Sequence, residues 1–317
     1  MIELDDLVVA YRTVRGEVTS VAGVNLQIPH GQIIGIAGES GCGKSTLLKV
    51  LYGDITFPLI LKSGEVRYGL LDNDGTVLIT DNIRDYWFKR ISYIPQNSMG
   101  SLNPVKRIRH QLVDFAGRDV NKDDLLGQVQ AFMRHLDLPP QVIDAFPHQL
   151  SGGMKQRVII AMATFFQPDI ILADEPTTAL DVVVQKGILL TLARLQEEMQ
   201  NTLIIVSHDM GVHYQITHKV LIMYAAKAVE FADTESIFSS PLHPYTRMLI
   251  ESLPAIGDDR TRRGIEGSPP SLWDDLRGCR FAPRCPLAED ICRREEPPLK
   301  EYKPGHLAAC HFAVNGL

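Results

Sequence analysis

The chain has 317 residues, 45% hydrophobic and 22% charged, with 32 Lys+Arg against 38 Asp+Glu for a net charge of −6. That length allows one large core plus an appendage, the composition excludes disordered and fibrous classes, and the acidic balance argues against a surface that coats nucleic acid. The acidic start runs directly into a strand-like segment rather than a leader, and the most apolar window, Val158 to Phe166, is shorter than the roughly 18 residues of a membrane span. A cytosolic chain that meets any membrane through a partner is expected.

Ile2 to Ala10 and Val18 to Ile28 read as strands joined by a turn at Arg15-Gly16, with Tyr11 at the end of the first. The apolar run Ile33, Ile34, Ile36, Ala37 reads as a buried strand, and Thr46 to Tyr52 as a helix. Between them lies G-E-S-G-C-G-K-S-T, residues Gly38, Glu39, Ser40, Gly41, Cys42, Gly43, Lys44, Ser45 and Thr46. This fits G-x-x-x-x-G-K-[ST], in which loop N–H groups cradle phosphates, Lys44 reaches the outer phosphates and Ser45 ligates Mg²⁺. A helix N-terminus then faces the anion.

Asn73-Asp74-Gly75 between Val66–Leu71 and Thr76–Ile79 signals a hairpin. Ile91 to Pro95 is another short strand, with Gln96 at its end. From about 104 to 167 the pattern is helical: Asn121 and Asp124 suggest a capped start, Leu125, Val129, Phe132, Met133 and Leu136 share a face, and Pro139-Pro140 stops the helix. The cluster Lys106, Arg107, Arg109 is read as a solvated face. L-S-G-G-M, containing Ser151, Gly152 and Gly153, should feed a second helix whose N-terminus is another potential anion site.

Ile170-Ile-Leu-Ala is a buried strand ending in Asp174-Glu175-Pro176. Two carboxylates there are costly unless they meet a cation or do chemistry, so one could hold Mg²⁺ while the other polarises a water. A helix over Leu180 to Met199, a strand over Thr202 to Val206 and then Ser207-His208-Asp209 complete another αβ unit, followed by short helices at Thr234 to Phe238 and after His243-Pro-Tyr. Strand–helix alternation implies a largely parallel sheet whose ligands bind beyond the carboxyl ends of the strands.

In the order Gly38–Thr46, Gln96, L-S-G-G-M, I-I-L-A-D-E-P, T-A-L-D, His208, the set resembles the nucleotide-binding subunit of ABC transporters over about residues 1–251. The resemblance implies an α/β P-loop NTPase of the ABC type: a mainly parallel sheet, an antiparallel β subdomain, an inserted helical subdomain and a small cysteine-rich C-terminal extension. The nucleotide-binding domain would span 1–253 and the extension 254–317. It implies an ATPase that works as a dimer with two ATP molecules between subunits. In it Tyr11 resembles the residue that stacks on adenine, Lys44 and the loop amides the phosphate cradle, and Ser45 and Asp174 the Mg²⁺ holders. Gln96 resembles the sensor of metal and membrane partner, Glu175 the general base and His208 the γ-phosphate switch. Ser151 and Gly153, flanking Gly152, resemble the signature that closes over the partner's ATP, and Asp181 the link between the two sites.

Met154 in L-S-G-G-M-K-Q-R is similar to the oligopeptide and dipeptide importer ATPases, as are S-S-P-L-H-P-Y-T-R-M-L-I-E-S-L-P and the cysteine-rich segment. The resemblance implies a paralogous ATPase as dimer partner, two permease subunits, an extracellular solute-binding protein and a place on the cytoplasmic side of the membrane. Cys279, Cys285, Cys292 and Cys310 are spaced C-x5-C-x6-C-x17-C, unlike a paired C-x2-C zinc ribbon, and spacing alone leaves zinc and iron–sulfur open. The family resemblance selects a [4Fe-4S] cluster, with Cys42 outside it. The segment from Pro254 is poor in aliphatic residues, so such a centre is expected to tie it down. The alternative is a soluble ABC-type ATPase of translation or DNA repair, which generally carries a second module or a coiled-coil insertion that this sequence lacks.

Overall fold

The computed structural model describes residues 1–72, 74–96, 98–116, 122–253, 264–274 and 276–313. They fall into two compact units, Met1–Arg84 with Val206–Leu317, and Asp85–Ile205.

The first unit opens with β1 (Ile2–Thr13) and β2 (Gly16–Ile28), antiparallel, with Thr13 opposite Gly16. Next come β3 (Ile33–Ala37), buried along its whole length, and α1 (Lys44–Leu51). The predicted hairpin follows as β4 (Leu59–Leu71) and β5 (Val77–Ile79), its Asn73 lying outside the described residues. These strands form a four-stranded antiparallel sheet in the order β2-β1-β4-β5. Ile2, Leu7, Val9, Val21 and Ile28 are each buried, and bulges in the β1–β2 pairing around Leu7 and Val9 shift the alternation along the strands.

The second unit holds β6 (Ile91–Ile94), α2 (Ile108–Ala116), α3 (Lys122–His135), α4 (Gly152–Thr164), β7 (Ile170–Asp174), α5 (Val182–Met199) and β8 (Thr202–Val206). The order is β8-β7-β6, with β6 and β7 parallel. On α3 the expected face is buried at Leu125, Val129 and Met133, and at Leu136 just past its end, while Phe132 sets its ring edge-on to Phe165 at 5.8 Å. The Asn121 cap lies outside the described residues.

The chain returns to the first unit through α6 (Met210–Ile216), β9 (Lys219–Tyr224), β10 (Lys227–Asp233), α7 (Thr234–Ser239) and α8 (Pro244–Glu251). Then follow α9 (Asp290–Arg294), β11 (Lys300–Lys303) and β12 (His306–Ala308). Strands of this unit run in the order β11-β12-β10-β9-β3, with β3 and β9 parallel and the rest antiparallel.

The cysteine-rich extension joins the sheet through the pairing of β12 on β10. Phe231 pairs with Leu307, and the fully buried Glu230 takes His306 Nε2 at 2.6 Å and the amides of Leu242 and His243 at 2.7 and 3.0 Å. Phe281, 1% exposed, sits against Tyr224 and Tyr245 with ring centroids 5.2 and 5.4 Å away. Burying such a ring stabilises by roughly 2–3 kcal/mol.

Candidate active site

In the first unit the phosphate loop has the backbone its glycines allow. Gly38 (φ +147°) and Gly43 (φ +105°) lie where L side chains rarely go, and a Cβ on either would stand 2.1 Å from a carbonyl oxygen, Met223 O and Ser20 O respectively. Gly43 precedes α1 and accepts the Leu47 amide at 2.9 Å, so the helix begins where the loop ends. The nearly buried Lys44 donates from Nζ to the carbonyls of Gly38 (2.7 Å) and Glu39 (3.0 Å), folding its ammonium back over the loop. Cys42 Sγ is 3.7 Å from the same nitrogen, and burial pushes its thiol pKa up against the pull of the ammonium. The Thr46 hydroxyl donates to Tyr11 Oη at 3.4 Å, which puts the aromatic beside the loop's helix.

His208 is exposed, in a turn built by its neighbours. The Ser207 amide donates to Ile36 O at 3.3 Å and the Asp209 amide to Ser207 Oγ at 3.1 Å. Asp209 Oδ1 then accepts the Gly211 amide at 2.8 Å and caps α6. Beneath this turn the fully buried His213 sets Nε2 3.1 Å from Ser207 O, and burial lowers its pKa to about 4, so it stays neutral. Gly35 makes room: a Cβ there would be 2.3 Å from His213 Nδ1. A periodicity reading passes over His213, which is one of many buried positions, but it underpins the His208 turn.

In the second unit Asp174 ends β7, 3% exposed, and accepts from Tyr93 Oη at 3.0 Å. Glu175, the next residue, has φ +45°, an uncommon conformation for a side chain of its size. Its Oε2 accepts from Gln96 Nε2 at 2.9 Å and from Thr178 Oγ1 at 3.0 Å. Gln96 and Glu175, 79 positions apart, thus share a hydrogen bond. Tyr93 and Thr178 complete the cluster, and neither was singled out from sequence, although both lie within a few residues of the motifs. Farther along, Ser151 caps α4 by accepting the Met154 amide at 3.3 Å, and Asp181 caps α5 by accepting the Val184 amide at 2.9 Å. A Cβ on Gly153 would stand 2.8 Å from Val184 Cγ1, so the glycine lets the start of α4 approach the start of α5. Gly152 is the first residue of α4. Ser98 Oγ donates to the buried Gln156 of α4 at 2.6 Å, two residues past Gln96.

Cys279, Cys285, Cys292 and Cys310 all line one small cavity of the first unit, with Phe281 and Phe312 on its walls. Burial raises their thiol pKa values at Cys279 (to about 11), Cys285 and Cys310. Four thiols on one cavity match a four-thiolate centre in number and kind. Yet among the described residues no group of three or more His, Cys, Asp or Glu side chains is arranged to hold a metal ion. Cys42 lines the nucleotide loop instead.

The chain is similar in sequence and fold to known proteins. The ABC transporter family model matches residues 21–178, and the model of the oligopeptide/dipeptide transporter C-terminal region matches residues 229–292. The dipeptide transport ATP-binding protein DppD of Caldanaerobacter subterraneus subsp. tengcongensis is 36% identical over all of this chain and 98% of its own length. The oligopeptide transport ATP-binding protein OppD of Salmonella typhimurium is also 36% identical, over all of this chain and 95% of its own length. The chain belongs to the ABC transporter ATP-binding proteins. As an ABC ATPase it has the α/β architecture of that family, with a mixed sheet, an antiparallel β sheet and a helical subdomain. A dimeric post-hydrolysis structure of the ATP-binding cassette MJ0796 bound to ADP and Pi superposes with a TM-score of 0.61 at 26% identity. It covers 74% of this chain and 99% of the cassette. ATP is the substrate of this ABC ATPase, and among its described residues no helix is long and apolar enough to cross a membrane.

Proposed function

We propose that this ABC ATPase powers uptake of oligopeptides, dipeptides or a related solute, as one half of an ATPase dimer on the cytoplasmic face of two permease subunits served by an extracellular solute-binding protein. The observation that carries the transport reading is the match of residues 229–292 to the oligopeptide/dipeptide C-terminal region, within a full-length similarity to peptide transport ATP-binding proteins. The other half is a paralogous ATPase subunit, and no nucleic acid takes part. Residues 1–253 act as the nucleotide domain and 254–317 as an appended module.

Phosphoryl transfer asks mainly for positioning and charge stabilisation. Lys44 and the amides of the loop through Thr46 bind the phosphates, and Tyr11 stacks on the adenine. Mg²⁺, held by Ser45 and Asp174 with Gln96, would offset phosphate charge. Glu175 accepts a proton from the attacking water while Gln96 and Thr178 orient its carboxylate, which favours the rotamer that catalysis uses. His208 donates to the γ-phosphate. Ser151, Gly152 and Gly153 present a capped helix N-terminus to the nucleotide of the other subunit, and Asp181 relays between the sites.

The test is turnover in proteoliposomes. The purified chain alone should be a weak ATPase, and assembly with partner ATPase, permeases and peptide-loaded binding protein should raise its turnover at least fivefold. Full turnover from a strictly monomeric preparation, checked by light scattering at assay concentration, would contradict the dimer reading.

We further infer that Cys279, Cys285, Cys292 and Cys310 hold a [4Fe-4S] cluster, with Cys₄ zinc as the alternative; the shared cavity supports this. Such a cluster would supply a structural or redox-sensing staple. The raised thiol pKa values mean that binding must displace protons, so loading should fall as pH drops. Anaerobic purification should give about four iron and four sulfide per chain. Stoichiometric zinc without sulfide, or no metal, would refute the assignment.

A further inference from the structure

The phosphate loop contains a carboxylate. Glu39 is the second residue of a loop whose task is to hold a polyanion, and an uncompensated negative charge there would oppose the triphosphate. The structure neutralises it from a distant part of the chain. Arg284 Nη1 donates to Glu39 Oε2 at 2.8 Å and Nη2 to Oε1 at 2.9 Å, a bidentate fork across 245 positions, with the arginine side chain 6% exposed. The remaining N–H groups are also used: Nη1 donates to Tyr224 Oη at 3.1 Å, Nη2 to Ile265 O at 3.1 Å and Nε to Glu266 O at 2.9 Å. All five donors of the guanidinium are therefore engaged.

Glu39 is fixed through its backbone as well. Its amide donates to Tyr245 Oη at 2.9 Å, and its carbonyl accepts Lys44 Nζ at 3.0 Å. Arg284 follows Phe281, which packs between Tyr224 and Tyr245, and immediately precedes Cys285. The extension thus reaches the nucleotide loop by one ion pair and one aromatic cluster, all within the first unit.

We propose that Arg284 is a positioning residue for nucleotide binding: its fork on Glu39 holds the loop in shape and cancels its one negative charge, so the cysteine-rich segment sets the loop's affinity for the triphosphate. This rests on the reading that Gly38–Thr46 binds the phosphates of ATP. Replacing the arginine leaves Glu39 negative and mobile beside the phosphates, while neutralising Glu39 removes most of the reason for the arginine. Coupling is reciprocal, so nucleotide on the loop must also steady the segment around Arg284.

Equilibrium binding of fluorescent ATP to the full-length chain tests it, with thermal melts as a fold control. Arg284→Met should raise Kd about tenfold, the order expected of one uncompensated charge near the phosphates. In a Glu39→Gln background the same change should shift Kd less than twofold. A merely structural arginine would cost the same in both backgrounds, and that result overturns the proposal, as does an Arg284→Met Kd within twofold of wild type. If the methionine variant does not fold, hydrogen exchange on the wild-type chain decides. A non-hydrolysable ATP analogue should slow exchange at least threefold in peptides covering 264–267 and 279–285, and unchanged exchange there overturns the assignment. Wild-type protein that binds no nucleotide removes the loop reading and the proposal with it. Wild-type binding with an indifferent Arg284 removes the proposal alone.

Discussion

Glu175→Gln is expected to bind Mg-ATP with near-normal affinity and to hydrolyse it about 10² to 10⁴ times more slowly, the usual cost of losing a general base. The substitution keeps the shape of a side chain that already accepts from Gln96 Nε2 and Thr178 Oγ1. An amide oxygen in the place of Oε2 can go on accepting both hydrogen bonds, but the amide cannot take a proton from water. Backbone strain at φ +45° is common to both residues, so it does not separate them. The measurement is steady-state phosphate release at saturating ATP in the assembled complex, beside nucleotide binding. A rate within about threefold of wild type corresponds to less than 1 kcal/mol in the barrier and would remove Glu175 from the catalytic role.

The second large effect belongs to the loop itself. Gly43→Ala should cut ATP affinity by about 10² or more, roughly 2.7 kcal/mol of binding lost when the phosphate-binding loop can no longer keep its shape. A Cβ at this position meets Ser20 O at 2.1 Å, and the backbone sits at φ +105°. The opposing atom is main-chain carbonyl rather than the end of a flexible side chain, so the loop must move and carry Lys44 and the first turn of α1 with it. Gly41→Ala provides the contrast. Nothing lies within 4 Å of the added methyl, and its cost is that of φ +77° alone. Titration calorimetry on both variants, with circular dichroism to confirm folding, should show the Gly43 loss well above the Gly41 loss; equal losses would mean that backbone conformation, not the clash, governs the loop.

Much of this was legible in the sequence because it is local. Strand, glycine loop and helix around Gly38–Thr46 follow from an apolar run, two obligatory positive-φ positions and a helix-forming stretch in series. Ser151, Asp174 and Glu175 sit at element ends that the apolar runs and the glycine pair locate, whereas the helix expected from Leu180 begins at Val182, with Asp181 as its cap. The contacts that assemble the site were less visible. Gln96 meets Glu175 through the parallel pairing of β6 with β7, and neither residue's neighbours announce it. The hairpin β11–β12 was missed for a related reason: Lys300–Lys303 is polar, with no buried residue among its four, and only its place beside β12 makes it a strand. The fork of Arg284 on Glu39 and the seat of His213 against Gly35 depend on separations that only the finished topology supplies.

The strand β12 bears on how the chain comes into being. It joins β10 near the carboxyl end, and Phe231 waits for Leu307 as Glu39 waits for Arg284. During synthesis the ribosome therefore delivers the nucleotide loop long before the residues that brace it, and a nascent chain carries β10 as an open sheet edge of the kind that invites pairing with another chain. Closing contacts this far apart is entropically slow. The brace of Arg284 on the loop and the cover of β12 on β10 therefore form only after the elements they act on have been made.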